Sequence, residues 1–212
     1  MIVIVDYGMG NLHSVLHKIQ KITPDVKLSS MPGDIDQADK LILPGVGQYA
    51  AGMKNLKEYG LIEPLNQKVL KDRTPILGIC LGMQIFTDYG EEGGANGLGW
   101  IRGRTIRLNP PNLPIPHVGW NTIKLKKETR LFDDLTPDYR YYFTHSYHVV
   151  CEDASDVLAT TVYGQEFTSA IQKNNIIGTQ FHPEKSHIAG VGVLNNFLLC
   201  IGNQYGYKKN IA

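Results

Sequence analysis

The sequence predicts an α/β fold: a mostly parallel central sheet flanked by helices, with an added region of antiparallel strands. Three observations carry this. Up to about residue 90, short apolar runs rich in β-branched residues alternate with segments of helical spacing, the pattern of a parallel sheet with right-handed crossovers. The strand-like runs end in glycine- or proline-rich turns. Beyond residue 99 helical periodicity fades and strand-like runs follow one another closely.

Ile2–Val5 reads as a buried first strand, entering the glycine turn Asp6–Asn11. Leu12, Val15, Leu16, Ile19 and Ile22 fall at helical spacing, and Pro24 ends that helix. Gly8 and Gly10 lack the third glycine and the acidic residue of a dinucleotide fingerprint, which leaves a tight strand–helix turn. Val26–Leu28 is a second strand and Lys40–Leu43 a third, leading into the loop Pro44-Gly45-Val46-Gly47. A helical region over 48–72, interrupted near Gly60 and Pro64, precedes the strand Pro75-Ile76-Leu77. Leu81, Met83, Ile85 and Phe86 continue that strand into a helix. A loop with four glycines spans Glu91–Gly99. Strands are expected over 100–108, 120–125, 139–150, 157–163, 168–173 and 176–181, with Pro110, Pro111, Pro114 and Pro116 marking a rigid loop between two of them. A final helix carries Ile188, Val191, Leu194, Phe197, Leu198 and Ile201 on one apolar face, and Lys208-Lys209-Asn210 reads as a frayed end. No linker or repeat divides the chain, so residues 1–212 are expected to form a single domain.

With 42% hydrophobic and 19% charged residues the balance is that of a soluble globular protein. A net charge of +1 gives no electrostatic case for nucleic acid or an anionic membrane. No apolar run approaches the length of a membrane span, and the first residues lack a signal-peptide pattern. Cys80, Cys151 and Cys200 are odd in number and far apart, showing neither metal spacing nor a disulfide framework, so a reducing cytoplasm is expected.

The chemistry centres on Gly78-Ile79-Cys80-Leu81-Gly82-Met83-Gln84. Cys80 stands at a strand-to-helix turn with a glycine two residues away on each side, the thiol form of a nucleophile elbow. A helix N-terminus favours thiolate there. Alone, such a cysteine reads more plainly as buried structure. About a hundred residues later the strand 176–181 ends in His182-Pro183-Glu184, where a carboxylate could hold one imidazole nitrogen and leave the other for a thiol. An acyl-transfer site also needs oxyanion donors. The Leu81 N–H and a backbone N–H of the Gly45-Val46-Gly47 loop are the candidates.

Together these stretches resemble the class I (triad) glutamine amidotransferases, whose sheet is flavodoxin-like. Asp6–Leu12, Leu43–Gly47, Pro116–Asn121 and Tyr141–Tyr147 narrow the similarity to the glutaminase subunits that serve imidazole glycerol phosphate synthesis. The resemblance runs from Met1 to about Leu199. It implies that Cys80 attacks the side-chain amide of glutamine, His182 moves the proton and Glu184 orients it, with no cofactor. Gln84, Glu92 and His145-Ser146-Tyr147 match the positions that hold the amino-acid end of glutamine, with Glu91 the neighbouring alternative to Glu92. Asn11, Trp120, Tyr142 and Lys185 match positions facing a (β/α)8-barrel cyclase that receives the ammonia. One position departs from the pattern. His187 stands where the histidine-pathway subunits usually have glycine, and paralogues serving surface-polysaccharide synthesis often carry histidine there. Two other readings stay open: a non-catalytic interaction subunit, and a cysteine peptidase on a related fold.

Overall fold

The computed structural model describes residues 1–202, so the expected fraying at Lys208–Asn210 lies outside the described residues. Five parallel strands form one side of a twelve-stranded sheet, in the order Val26–Ser29, Ile2–Val5, Lys40–Gly45, Ile76–Cys80, Ile176–Thr179. The last of these is contributed by the far end of the chain. It pairs with Ile76–Cys80 on one side and antiparallel with Gln165–Lys173 on the other. The antiparallel half continues through Tyr147–Cys151 and Ile101–Arg107 to Thr87–Gly90, which runs parallel to Ile101–Arg107, and to the short strand Ala95–Asn96. Val157–Tyr163 also pairs with Gln165–Lys173 and carries Lys124–Leu125. A separate two-stranded sheet joins His117–Asn121 to Tyr141–His145.

The four parallel strands inside the edge strand Val26–Ser29 are buried on both faces, because helices cover both. Ile2, Ile4, Ile42, Leu77 and Ile79 enter one apolar core with Leu12, Val15 and Ile19 of the helix Leu12–Gln20 and with Val193, Leu194 and Phe197 of the helix His187–Cys200. Val3, Val5, Leu41, Leu43 and Ile76 enter a second core with Leu56 of the helix Tyr49–Glu58. Buried Lys40 ties the two ends of the chain together. Its Nζ donates to the Phe197 carbonyl at 3.1 Å, to that of Ile201 at 2.6 Å, and to that of Leu198. A cation is thereby placed on the unsatisfied carbonyls of a helix C-terminus.

Several elements differ from the sequence expectation, each for a local reason. The helix after Cys80 lasts one turn, Leu81–Gln84, before the chain enters the strand Thr87–Gly90. The helical region over 48–72 breaks at Gly60, whose φ is +68°, but not at Pro64. Pro64 lies in the first turn of the helix Ile62–Asn66, where no N–H partner is lost. The run 139–150 is two strands in two sheets, divided at Ser146. The run 120–125 is likewise divided, between His117–Asn121 and Lys124–Leu125. The helix Pro32–Asp36 has no counterpart in the apolar pattern. In the last helix Ile188 is 75% exposed and Val191 is exposed, while Ala189 and Gly190 face inward. A Cβ on Gly190 would stand 1.9 Å from the Pro183 carbonyl oxygen, so close approach to that turn rotates the small residues inward and moves the apolar stripe off the core. No helix among the described residues is long and apolar enough to cross a membrane.

Candidate active site

Cys80 ends its strand with φ 55° and ψ −107°, a backbone that L-residues rarely adopt and that costs on the order of 1–3 kcal/mol. The neighbouring glycines make room for the turn. A Cβ on Gly82 would lie 1.7 Å from the Leu43 carbonyl oxygen, and one on Gly78 would meet Phe86 at 2.6 Å and the Met83 nitrogen at 2.7 Å. Strand Lys40–Gly45 runs alongside, with Gly45 opposite Cys80. A Cβ on Gly45 would stand 2.2 Å from the hydroxyl of Tyr7, which is fully buried and has no hydrogen-bond partner among the described residues. The N–H groups of Val46 and of Leu81, the first helical residue, meet no acceptor among the described residues.

His182 follows the strand Ile176–Thr179 and is buried. Its N–H donates to the Tyr142 carbonyl at 2.9 Å, and its own carbonyl accepts from the Ser186 hydroxyl at 2.6 Å. Nδ1 lies 2.8 Å from Glu184 Oε1, also buried, so the carboxylate accepts a hydrogen bond from the Nδ1–H and fixes the ring. Nε2 has no aligned hydrogen bond, yet the ring is near enough to feel the charge of Cys80. Burial disfavours the imidazolium. The nearby charge of Cys80, with the hydrogen bond and charge of Glu184, outweighs that, and the His182 pKa is pushed up to about 10.

Cys80 opens onto a cavity of about 440 Å³ lined by Val46, Gly47, Leu81, Gln84, Glu92 and the segment Thr144–Tyr147, among others. Of the two adjacent glutamates, Glu92 lines it. Its Oε2 also accepts from the Tyr49 N–H at 2.9 Å, whereas Glu91 Oε2 accepts from the Arg107 N–H at 3.0 Å. Gln84 Nε2 is committed to the Tyr147 carbonyl at 2.9 Å and to Gln180 Oε1 at 3.1 Å, which leaves Gln84 Oε1 for the cavity. Gln180 is a site residue that sequence reasoning missed. It is fully buried and donates from Nε2 to Cys80 Sγ at 3.5 Å. The signal was its place two residues before His182, on the same strand end.

Asn11, Trp120, Tyr142 and Lys185 stand outside the cavity. Asn11 caps the helix Leu12–Gln20, its Oδ1 accepting from the Ser14 N–H at 3.4 Å. The other three form one surface cluster. Trp120, 42% exposed, lies edge-on to Tyr142, and Lys185 Nζ sits 5.5 Å from the Tyr142 ring centre. His187, at φ 47°, lies flat on Trp120 with ring centres 4.8 Å apart. Among the described residues no group of His, Cys, Asp and Glu is placed to hold a metal ion.

The family model for class-I glutamine amidotransferases matches residues 3–201. The chain belongs to that family. A curated relative from Methanococcus maripaludis, "Imidazole glycerol phosphate synthase subunit HisH 2", is 51% identical over 93% of this chain and 98% of its own length. Proteins of the same kind from Pseudomonas aeruginosa (HisH 2, 42% identical) and Campylobacter jejuni (HisH 1, 46%) cover 93% of this chain and 98–99% of their own. The fold recurs in a solved glutamine amidotransferase, with a TM-score of 0.73 at 14% identity over 93% of this chain and 96% of that one. It recurs also in PurLQS from Thermotoga maritima, with a TM-score of 0.67 at 18% identity over 93% and 96%.

Proposed function

We propose that this chain is a glutaminase subunit that delivers ammonia to a synthase making imidazole glycerol phosphate. The observation that carries the reading is a strained cysteine lining a cavity, with a buried histidine held by a carboxylate at the neighbouring strand end. The Cys80 thiolate attacks the side-chain amide carbon of glutamine. The Leu81 and Val46 N–H groups take up the oxyanion. His182, already protonated, gives its Nε2 proton to the leaving nitrogen, and ammonia departs. Neutral His182 then draws a proton from the water that hydrolyses the thioester, and glutamate leaves. At the other end of the substrate, Glu92 and Gln84 Oε1 accept from the α-ammonium, and backbone N–H groups of Ser146 and Tyr147 donate to the α-carboxylate. Gly45 and Gly47 let the oxyanion loop approach.

The relatives bear the name of the synthase's subunit, which supports a partner for this chain; a (β/α)8-barrel cyclase is the partner that the family resemblance implies. Asn11, Trp120, Tyr142 and Lys185 form the docking face. The histidine at position 187, by resemblance to the surface-polysaccharide paralogues, keeps a second acceptor open, an enzyme that modifies a sugar; its ring lies flat on Trp120 of that face.

The test is glutamate release from glutamine by the chain alone and with each candidate synthase and its acceptor substrate. The expected result is a low rate alone and a large increase with one synthase, abolished in Cys80→Ala. A high rate alone that no synthase changes removes the partner reading. A Cys80→Ala protein that still supports glutamine-dependent synthesis removes the glutaminase reading. Co-purification with the sugar-aminating enzyme instead of the cyclase selects the second acceptor.

A further inference from the structure

The hydrogen bonds of the cavity wall continue beyond it, and the carbonyls at the two ends assign every proton in the row. The Tyr147 carbonyl accepts from Gln84 Nε2 and lies 2.8 Å from His145 Nδ1. A carbonyl only accepts, so His145 carries its proton on Nδ1 and leaves Nε2 bare. His117 Nδ1 stands 3.1 Å from that bare nitrogen and must be the donor. His117 Nε2 is then an acceptor. It faces Asn121 Nδ2 at 3.5 Å, and Asn121 Nδ2 also donates to the Val162 carbonyl at 2.9 Å. The row works only if both rings are neutral. Burial ensures this, bringing His117 down to about 4 and His145 to about 3.

The row ends at the segment that lines the cavity. The Ser146 carbonyl is taken by the Leu108 N–H at 2.9 Å and the Tyr147 carbonyl by His145 and Gln84, while the Ser146 N–H has no acceptor among the described residues. Both carbonyls of this short stretch are therefore held by groups of the protein, and a donor is left over. Without His117, His145 Nε2 would be a buried acceptor with nothing to accept from, and its ring would gain by turning. That would leave the Tyr147 carbonyl, a negative dipole next to the place of a carboxylate, with Gln84 as its one remaining side-chain donor among the described residues.

We propose that His117 is a positioning residue for the amino-acid end of glutamine: by donating to His145 it keeps the Ser146-Tyr147 backbone set to receive the α-carboxylate. This rests on the glutaminase reading. His117 does not line the cavity and touches no substrate. It is stacked among Tyr163 at 4.0 Å and Phe143 at 4.9 Å, with Phe167 edge-on at 5.7 Å. That slot accommodates phenylalanine, so His117→Phe removes the donor and keeps the packing.

Three variants test the proposal in the complex with the synthase. His117→Phe raises the KM for glutamine about tenfold with a smaller change in kcat, as expected when one buried acceptor loses its donor. His117→Asn, whose amide N–H stands where Nδ1 stood, restores most of the affinity. His117→Gln, which reaches toward the Nε2 position, does not. Nitrogen-15 NMR of the histidines in the isolated chain reads the row directly: His145 is the Nδ1–H tautomer in the unsubstituted protein, and its Nε2 resonance moves in His117→Phe. An unchanged KM in His117→Phe, equal losses in all three variants, or a His145 resonance indifferent to position 117 overturns the proposal. If the unsubstituted complex releases no glutamate from glutamine, the glutaminase reading has failed instead, and the NMR arm still decides whether the row exists.

Discussion

The parallel and antiparallel halves of the sheet place functional atoms by different means. In the parallel half the backbone does the positioning. Cys80, Gly45 and His182 all sit at or just past the C-terminal ends of adjacent strands, where an open α/β sheet presents its crevice. In the antiparallel half, side-chain hydrogen bonds do it. The segment His145–Tyr147 is set by Gln84, His145 and His117 at a point where the chain passes from one sheet to another. A position fixed by strand pairing should fail abruptly when the backbone is disturbed. One fixed by side chains should fail by degrees and respond to pH.

The largest expected effect removes the nucleophile. Cys80→Ala lowers kcat for glutamine hydrolysis by about 10⁴-fold or more, measured as glutamate released by the complex, with stability little changed. Next comes the backbone itself. Gly82→Ala drives a methyl group into the Leu43 carbonyl and costs about 4 kcal/mol by chemical denaturation. Gly33→Ala, with nothing within 4 Å of the new methyl, stays within about 0.5 kcal/mol of the starting protein. A mild Gly82→Ala would undo the distinction between the halves.

Acid probes the side-chain half. Burial holds His117 and His145 down to about 4 and about 3, below the ordinary imidazole value of 6.5. The unfolded chain therefore binds more protons than the folded one between these values. Stability contributed by the neutral rings is intact above pH 6.5, falls as pH drops through 6.5, and is lost by about pH 3. The loss is on the order of a few kcal/mol, read from denaturation midpoints across that range. His117→Phe should flatten the curve, and a curve of unchanged slope would mean that other groups dominate it. The smallest effect tests the catalytic pair. Cys80→Ala takes away the thiolate that raises His182, so the His182 titration midpoint falls from about 10 toward 6.5, a shift visible by NMR.

The sequence displayed the parallel half well. Strands buried on both faces appear as unbroken apolar runs, and the elbow glycines and His-Pro-Glu flank the reacting groups within a few residues. The antiparallel half was less legible. The run Tyr141–Cys151 carries no glycine or proline, so no turn residue marks Ser146 as the point where the chain changes sheets. The face of the last helix was misread because its small residues, not Ile188 and Val191, press against the Pro183 turn. Gln180 and His117 escaped notice because each acts on a residue distant in sequence: Cys80, 100 positions away, and His145, 28 positions away. Only the folded chain brings these partners together.

The late strand Ile176–Thr179 also governs the order in which this molecule can be made. It is synthesised about a hundred residues after Ile76–Cys80, yet it is the inner neighbour of that strand. Until it emerges from the ribosome, Ile76–Cys80 is an open, fully apolar strand edge with the reactive cysteine at its tip, and Lys40 has no helix end to cap. The first ninety residues can therefore collapse but cannot close. Such an arrangement folds slowly and exposes an aggregation-prone edge during synthesis. Truncation anywhere before residue 176 should yield a chain that depends on chaperones, however complete its nucleophile elbow looks in sequence.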